Sequence, residues 1–265
     1  MAISSDRASV RRVRLRWAAT ILLTAGALVA AGLWAPEVRA WRTESVREMP
    51  ERETSDREMP EREVPVPVPR LDEYDKDAEV PAAGTGTFAV APDGGPLLGG
   101  GNGRIKRVRV AVESNLIAEL DSLAAAVDAT LGDPRSWPAG GAVRFQRVPT
   151  AEPFDFTIFL VTRETAFGMC RPNGVDIRVD GVPYTSCRQV GKVVINLDRW
   201  KLSVPSYVDN HIPLPTYRSY VINHEVGHEL GRGHVGCPVA GRPAPVMLTQ
   251  TLGLQGCTPN PWPYP

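Results

Sequence analysis

The chain has 265 residues, with 30 basic and 30 acidic side chains and therefore no formal net charge. That length accommodates one large domain or two small ones, and the lack of a basic excess argues against nucleic-acid binding. The composition changes along the chain, which predicts three segments: residues 1–41, 42–83 and 84–265.

Residues 1–41 form a predicted export signal. Five arginines precede an uncharged run from Trp17 to Ala35. About 18 apolar residues suffice to cross a bilayer, which favours an uncleaved signal anchor, whereas Val38-Arg39-Ala40 would equally serve as the cleavage site of a signal peptide. Both alternatives place the rest of the chain outside the cytoplasm, either anchored to the cell membrane or secreted, because the arginines hold the N-terminus inside.

Residues 42–83 are predicted to be a disordered stalk. The sequence Arg-Glu-Met-Pro-Glu-Arg-Glu occurs at 47–53 and again at 57–63, and alternating valine and proline follow at 64–69. Such a segment has too few apolar side chains to offset the entropy of ordering, and alternating prolines favour an extended spacer. The stalk would hold the folded domain away from the membrane.

The predicted domain, residues 84–265, begins with two strands and a helix. Thr85–Ala91 is a short candidate strand, and Ile105–Glu113 alternates apolar and polar residues as a half-buried strand does. A helix is expected from an Asn115 cap to about Leu131, because apolar residues recur there at helical spacing. The predicted core stripe of this helix is Leu116, Leu120, Leu123, Ala124, Val127 and Leu131.

Three further apolar segments predict strands: Val143–Val148, Phe156–Thr162 and Lys192–Leu197. The second is the most apolar and is expected at the centre of the sheet. The third is a candidate edge strand that could bind an extended peptide by strand addition. Strands and helices together predict an α+β fold.

The four cysteines, Cys170, Cys187, Cys237 and Cys257, suit an exported protein. Four cysteines allow three pairings, of which the local one, Cys170–Cys187 and Cys237–Cys257, closes two short loops. Each such disulfide would stabilise the fold by roughly 3 kcal/mol on the chain-entropy model. The alternative is a cysteine zinc site, although the chain has no C-x-x-C pair.

A second helix is predicted from Thr216, as its cap, to Leu230. Gly227 lies inside it and costs about 1 kcal/mol relative to alanine. A close backbone contact would explain why glycine is tolerated there. The proline-rich turn 243–247, which ends in Met247, follows later in the chain.

This helix carries the pattern H-E-x-x-H-x-x-G-x-x-H, with histidines at His224, His228 and His234. Residues four apart lie on one side of a helix, so the first two imidazoles can bind one metal ion. Glu225 follows the first ligand, where it can reach a metal-bound water. Gly231 can end the helix, because glycine adopts the left-handed conformation without strain, and the chain can then return the third histidine to the metal.

The pattern followed by Met247 resembles the metzincin clan of zinc peptidases. The resemblance implies that His224, His228 and His234 bind Zn²⁺ and that Glu225 is the general base. It also implies that Met247 lies in a turn beneath the metal. The fold implied is a metzincin-like catalytic domain with a twisted mixed sheet, a backing helix and an active-site helix.

More closely, residues 84–265 resemble a poorly characterised domain of exported actinobacterial proteins that carry only a peptidase label. The similar segments are Asp133–Trp137, Tyr220–Glu225 and Ala244–Met247. This second resemblance implies the same fold and export, but it gives no substrate.

The leading hypothesis is an exported zinc endopeptidase that hydrolyses peptide or protein substrates through a zinc-bound water, with Glu225 as base. A second donor for the oxyanion is expected, and His211, Tyr217 and Tyr220 are candidates. Two alternatives stay open: a non-catalytic zinc-stabilised binding module on the cell surface, and a metal hydrolase of cell-wall peptides. The membrane is a further partner if the N-terminal segment stays uncleaved.

Overall fold

The structure is a computed structural model, and it describes residues 80–265. The export signal predicted for residues 1–41 and nearly all of the stalk predicted for 42–83 therefore lie outside the described residues. Within the described range, no helix combines the length and the hydropathy that a bilayer crossing requires.

The described residues form an α+β fold around a seven-stranded mixed sheet. The strands are β1 (Phe88–Val90), β2 (Leu97–Leu98), β3 (Arg104–Glu113), β4 (Val143–Arg147), β5 (Phe156–Val161), β6 (Arg178–Val179), β7 (Val182–Pro183), β8 (Cys187–Gln189) and β9 (Lys192–Asn196). The helices are α1 (Leu120–Gly132), α2 (Arg163–Cys170), α3 (Leu197–Leu202), α4 (Pro205–Val208) and α5 (Leu214–Glu229). Short 3₁₀ helices occupy Ser114–Glu119, Trp137–Gly140 and Arg171–Asn173.

The strand order of the sheet is β2-β4-β3-β5-β9-β8, and β1 pairs with the second half of β3. Strands β4, β3, β5 and β9 are parallel to one another, whereas β1, β2 and β8 pair in an antiparallel sense. The mixed sheet and the central position of β5 are confirmed. Strands β6 and β7 form a separate two-stranded sheet.

The prediction that Lys192–Leu197 forms the edge of the sheet is wrong. Strand β9 lies between β5 and β8, so the edge strand on that side is β8. A tight turn at Gly191, with φ of 73°, returns the chain from β8 to β9. The strand also ends one residue earlier than predicted, because the Asn196 side chain accepts a hydrogen bond from the backbone of Asp198 and caps α3.

The two faces of the sheet are covered by different helices. Alternate residues of a strand point to opposite faces, and in β9 the side chains of Val193 and Ile195 join the large core with α1 and α5. Val194 joins a smaller core with α2 on the other face. The predicted apolar stripe of the first helix is buried, although Leu116 lies in a 3₁₀ turn because α1 begins only at Leu120.

Candidate metal centre

Helix α5 carries the first part of the histidine pattern and ends as predicted at a glycine. Gly231 adopts φ of 83°. Its backbone N–H donates to the His228 carbonyl at 3.0 Å, and the N–H of Arg232 donates to the Gly227 carbonyl at 2.9 Å. These two bonds are those of a Schellman termination, which turns the chain back sharply. The predicted Thr216 cap is wrong, because the helix begins at Leu214, directly after Pro213, and the Thr216 N–H already donates within the first turn to the Pro213 carbonyl at 2.9 Å.

The turn brings three imidazoles together. One nitrogen from each of His224, His228 and His234 lies within 4.8 Å of the other two, and this group could hold a metal ion. The Nε2 atoms of His228 and His234 are 3.0 Å apart. Ligand nitrogens around a tetrahedral ion, at bonds of about 2.05 Å, are separated by about 3.3 Å, so the spacing suits a shared ion.

Backbone carbonyls orient two of the rings. The Nδ1 atom of His224 lies 2.8 Å from the Val246 carbonyl, and the Nδ1 atom of His228 lies 2.8 Å from the Arg232 carbonyl. A carbonyl only accepts hydrogen bonds, so each Nδ1 carries the proton and each Nε2 keeps a free lone pair. This is the tautomer that a metal site with Nε2 ligands requires.

Burial keeps these imidazoles neutral. It lowers the pKa of His224 to about 3 and also lowers the pKa of His228 below its ordinary value. A metal ion binds the neutral imidazole, so neither ligand has to lose a proton at neutral pH.

The carboxyl group of Glu225 is buried next to the histidines and faces the same cleft. Its Oε2 atom has no hydrogen-bond partner among residues 80–265. Burial raises the pKa of Glu225 to about 8, and a divalent cation in the site would favour the ionised form. An unpaired buried acid destabilises a fold, which makes Glu225 a candidate functional residue.

The turn that contains Met247 contacts α5 on the side of Gly227. A Cβ atom at Gly227 would overlap the Met247 sulfur and lie 2.7 Å from the Trp137 ring. The preceding carbonyl, that of Val246, is the one that holds the His224 ring. The absence of a side chain at Gly227 therefore lets this turn approach α5 closely.

Residues 75–265 match the model of a family described as "Protein of unknown function (DUF3152)". The chain belongs to the DUF3152 family. No curated protein and no solved structure matches it significantly.

Both predicted disulfides of the DUF3152 domain are present, in the local pairing. Cys170–Cys187 joins α2 to the edge strand β8, and Cys237–Cys257 joins the segment after the last histidine to the C-terminal segment. No free cysteine remains in the described part of the chain, so the alternative of a cysteine zinc site is wrong.

The group of His224, His228 and His234 opens into a cleft of about 710 Å³. One wall contains Cys187 and Arg188 of β8, and the exposed side chains of Val175 and Leu252 also line the cleft. The Arg188 guanidinium donates to the Glu229 carboxylate at 2.6 Å, which ties the edge strand to the end of α5.

The three side chains predicted as candidate oxyanion donors are not free to act in this cleft. His211 is exposed in the loop before α5 and is not among the residues that line the cleft. The Tyr220 hydroxyl donates to the Leu248 carbonyl at 2.9 Å and accepts from the Gln250 backbone at 2.8 Å. The buried hydroxyl of Tyr217 is hydrogen-bonded to the Thr251 hydroxyl, with the two oxygens 3.1 Å apart.

Sequence reasoning missed Arg188, Gln250 and Thr251. None of them belongs to a recognisable motif, and the sequence gives no spacing that would bring them to the histidines. Arg188 reaches the site through an edge strand of three residues, and the other two through a C-terminal segment without helix or strand.

Proposed function

We propose that the DUF3152 domain is an exported zinc-dependent endopeptidase of the metzincin type. The observation that carries the proposal is the convergence of three imidazoles beside the unpartnered Glu225 carboxyl group, all facing one open cleft. A purely structural metal site would have no use for that buried acid.

His224, His228 and His234 would hold the zinc ion. The Nδ1 hydrogen bonds of His224 and His228 leave their Nε2 lone pairs free, and the Nε2 atom of His234 lies 3.0 Å from that of His228. When bound, zinc supplies Lewis acidity, which favours deprotonation of a water and polarises a peptide carbonyl. The two backbone carbonyls at Nδ1 keep the first two rings in place and raise their basicity.

Glu225 would act as the proton carrier of the reaction. Its Oε2 atom takes a proton from the water that attacks the carbonyl carbon. The same atom then gives that proton to the leaving amine nitrogen as the C–N bond breaks, so that a carboxylate and an amine are released. Burial of this carboxyl group keeps bulk water from competing for the proton.

A peptide substrate is supported by the shape of the cleft. Strand β8 forms one wall, and within the described residues its only ladder partner is β9, so we expect an extended chain to pair along its other edge. Val175 and Leu252 would offer apolar contacts to substrate side chains. Main-chain pairing and side-chain pockets together suit an endopeptidase.

Export is supported by the two disulfides, since these bonds persist in oxidising compartments outside the cytoplasm. The predicted anchor or signal peptide agrees with this location. Peptides and proteins outside the cell are accordingly the proposed substrates.

The test compares the wild-type chain with Glu225→Gln and with Glu164→Gln, a control on the exposed surface of α2. Zinc content is measured by elemental analysis, and hydrolysis is measured with an unbiased peptide library. We expect full zinc loading in all three proteins and loss of hydrolysis, by at least about 1,000-fold, only in Glu225→Gln.

Full hydrolysis by Glu225→Gln would refute the assigned base. Zinc binding by a wild-type chain that cleaves no peptide would favour the non-catalytic surface module instead. Digestion of purified cell-wall material without cleavage of linear peptides would identify a wall hydrolase.

A further inference from the structure

A hydrogen bond links the buried interior of α5 to the wall of the cleft. The Tyr217 hydroxyl and the Thr251 hydroxyl are 3.1 Å apart. Tyr217 is fully buried, whereas Thr251 is partly exposed and lines the same cleft as His224 and Glu225. The pair therefore has one end in the core and the other in the wall of the cleft.

The other hydrogen-bond partners available to Tyr217 and Thr251 determine which of the two hydroxyls donates. Thr251 is the only hydrogen-bond partner of the Tyr217 hydroxyl among residues 80–265. If Thr251 donated, the phenolic hydrogen would be left buried and unpaired, at a cost of roughly 1–3 kcal/mol. If Tyr217 donates, the Thr251 hydrogen points away from the Tyr217 phenol and is left for another acceptor. Tyr217 is therefore the donor and Thr251 the acceptor.

The phenol stays a donor over the whole physiological pH range. Burial raises the pKa of Tyr217 well above its ordinary value, and the nearby Glu225 carboxylate adds to the rise. A hydroxyl that accepts a hydrogen bond becomes a better donor itself, because successive bonds polarise one another.

The backbone around Thr251 is held in place before any substrate binds. The preceding residue, Gln250, is fully buried, and its N–H donates to the Tyr220 hydroxyl at 2.8 Å. Its side-chain amide accepts from Tyr207 at 2.9 Å and donates to the Asn260 carbonyl at 2.7 Å. A donor fixed in this way loses little entropy when it binds a developing charge.

We propose that the Thr251 hydroxyl donates a hydrogen bond to the carbonyl oxygen of the scissile peptide bond, and that Tyr217 is a positioning residue that polarises this hydroxyl. This role rests on the proposed peptidase function. It supplies the second oxyanion donor that His211, Tyr217 and Tyr220 do not provide directly. Since an oxyanion accepts hydrogen bonds more strongly than the ground-state carbonyl, the bond accelerates turnover more than it improves binding.

The test uses the full zinc-loaded chain and the peptide that the wild type cleaves best. Thr251→Val should lower kcat by about 100-fold with little change in KM, because it removes one oxyanion donor. Thr251→Ser keeps the hydroxyl and should stay within about 5-fold of the wild type. Thr150→Val, an exposed threonine outside the cleft, is the matched control and should match the wild type.

Tyr217→Phe tests the polarising bond. It should lower kcat by about 5-fold in the wild-type background and have no further effect in Thr251→Val, because the two residues act through one hydrogen bond. Affinity for a phosphinic peptide that mimics the transition state should fall in parallel with kcat across the variants, whereas affinity for a simple substrate-like peptide should not. Zinc content should stay complete in every variant.

Each result would support or contradict a specific part of the proposal. An unchanged kcat in Thr251→Val, or an equal loss in Thr251→Ser, would overturn the role of Thr251 while leaving the peptidase proposal intact. An equal effect of Tyr217→Phe in both backgrounds would overturn the positioning role. If Thr251→Val fails to fold, Thr251→Ala replaces it, since that variant removes the hydroxyl without adding a methyl group. A zinc-loaded wild type that cleaves nothing would overturn the peptidase function and this role together.

Discussion

Gly227 offers a direct test of the packing beneath the metal ligands. It lies inside α5, where alanine would stabilise an isolated helix by about 1 kcal/mol. An added Cβ would meet the Met247 side chain, which can move, and the Trp137 ring at 2.7 Å, which is held by its Nε1 hydrogen bond of 2.9 Å to the Asn223 carbonyl. Overpacking of this kind costs about 1–3 kcal/mol, so Gly227→Ala should be destabilised by about 1 kcal/mol overall.

Gly168 supplies the matched control because it also lies inside a helix, α2, but a Cβ there would meet no atom within 4 Å. Gly168→Ala should gain up to about 1 kcal/mol. In thermal unfolding of the disulfide-intact protein, the first variant should melt about 3 °C below the wild type and the second about 3 °C above it. If both glycine variants gained stability equally, Gly227 would have no packing role against Met247 and Trp137.

Two further predictions concern buried polar side chains that are not themselves candidate metal ligands. Burial raises the pKa of Glu113, but hydrogen bonds from Gly86, Thr162 and Thr165 together outweigh it, so the folded pKa lies below the ordinary value. Its stabilising effect is then present above about pH 4.5 and disappears as the pH falls through the folded pKa. Denaturant titrations should therefore show Glu113→Gln about 2 kcal/mol less stable at pH 7, with a gap that narrows as the pH falls below about 4.5, and a constant gap would contradict this. Gln250→Ala should cost about 3 kcal/mol and weaken zinc retention against a chelator, whereas Gln146→Ala, whose side chain makes no hydrogen bond in the described structure, should change stability by less than about 0.5 kcal/mol.

The regular parts of the fold were predictable from periodicity. The alternation in Ile105–Glu113 follows from one buried and one half-covered face, and the helical apolar stripe ending at Leu131 follows from packing against the sheet. Both patterns are local consequences of burial, so they are visible in one sequence. The local cysteine pairing was also predictable from the sequence, because each disulfide closes a loop of limited length.

The edge of the sheet was not predictable. Strand β8 has only three residues, too few to show a period, and its position depends on the disulfide at Cys187 and the turn at Gly191. The start of α2 is likewise set from a distance, because Glu113 accepts hydrogen bonds from both the N–H and the hydroxyl of Thr162. No sequence pattern around Glu113 or Thr162 indicates that these two residues are hydrogen-bonded.

One part of the histidine site depends on the local sequence, and another part depends on residues far away in the chain. Spacing alone predicts that His224 and His228 share a side of α5 and that a glycine turn returns His234, because a helix and its termination are short-range structures. The proton on His224 Nδ1, by contrast, depends on the Val246 carbonyl. This carbonyl belongs to the C-terminal segment, which is held in place by the buried amide of Gln250 rather than by any helix or strand. Metal binding through Nε2 of His224 requires that proton placement, so a metal ion bound there and the folded C-terminal segment would stabilise each other.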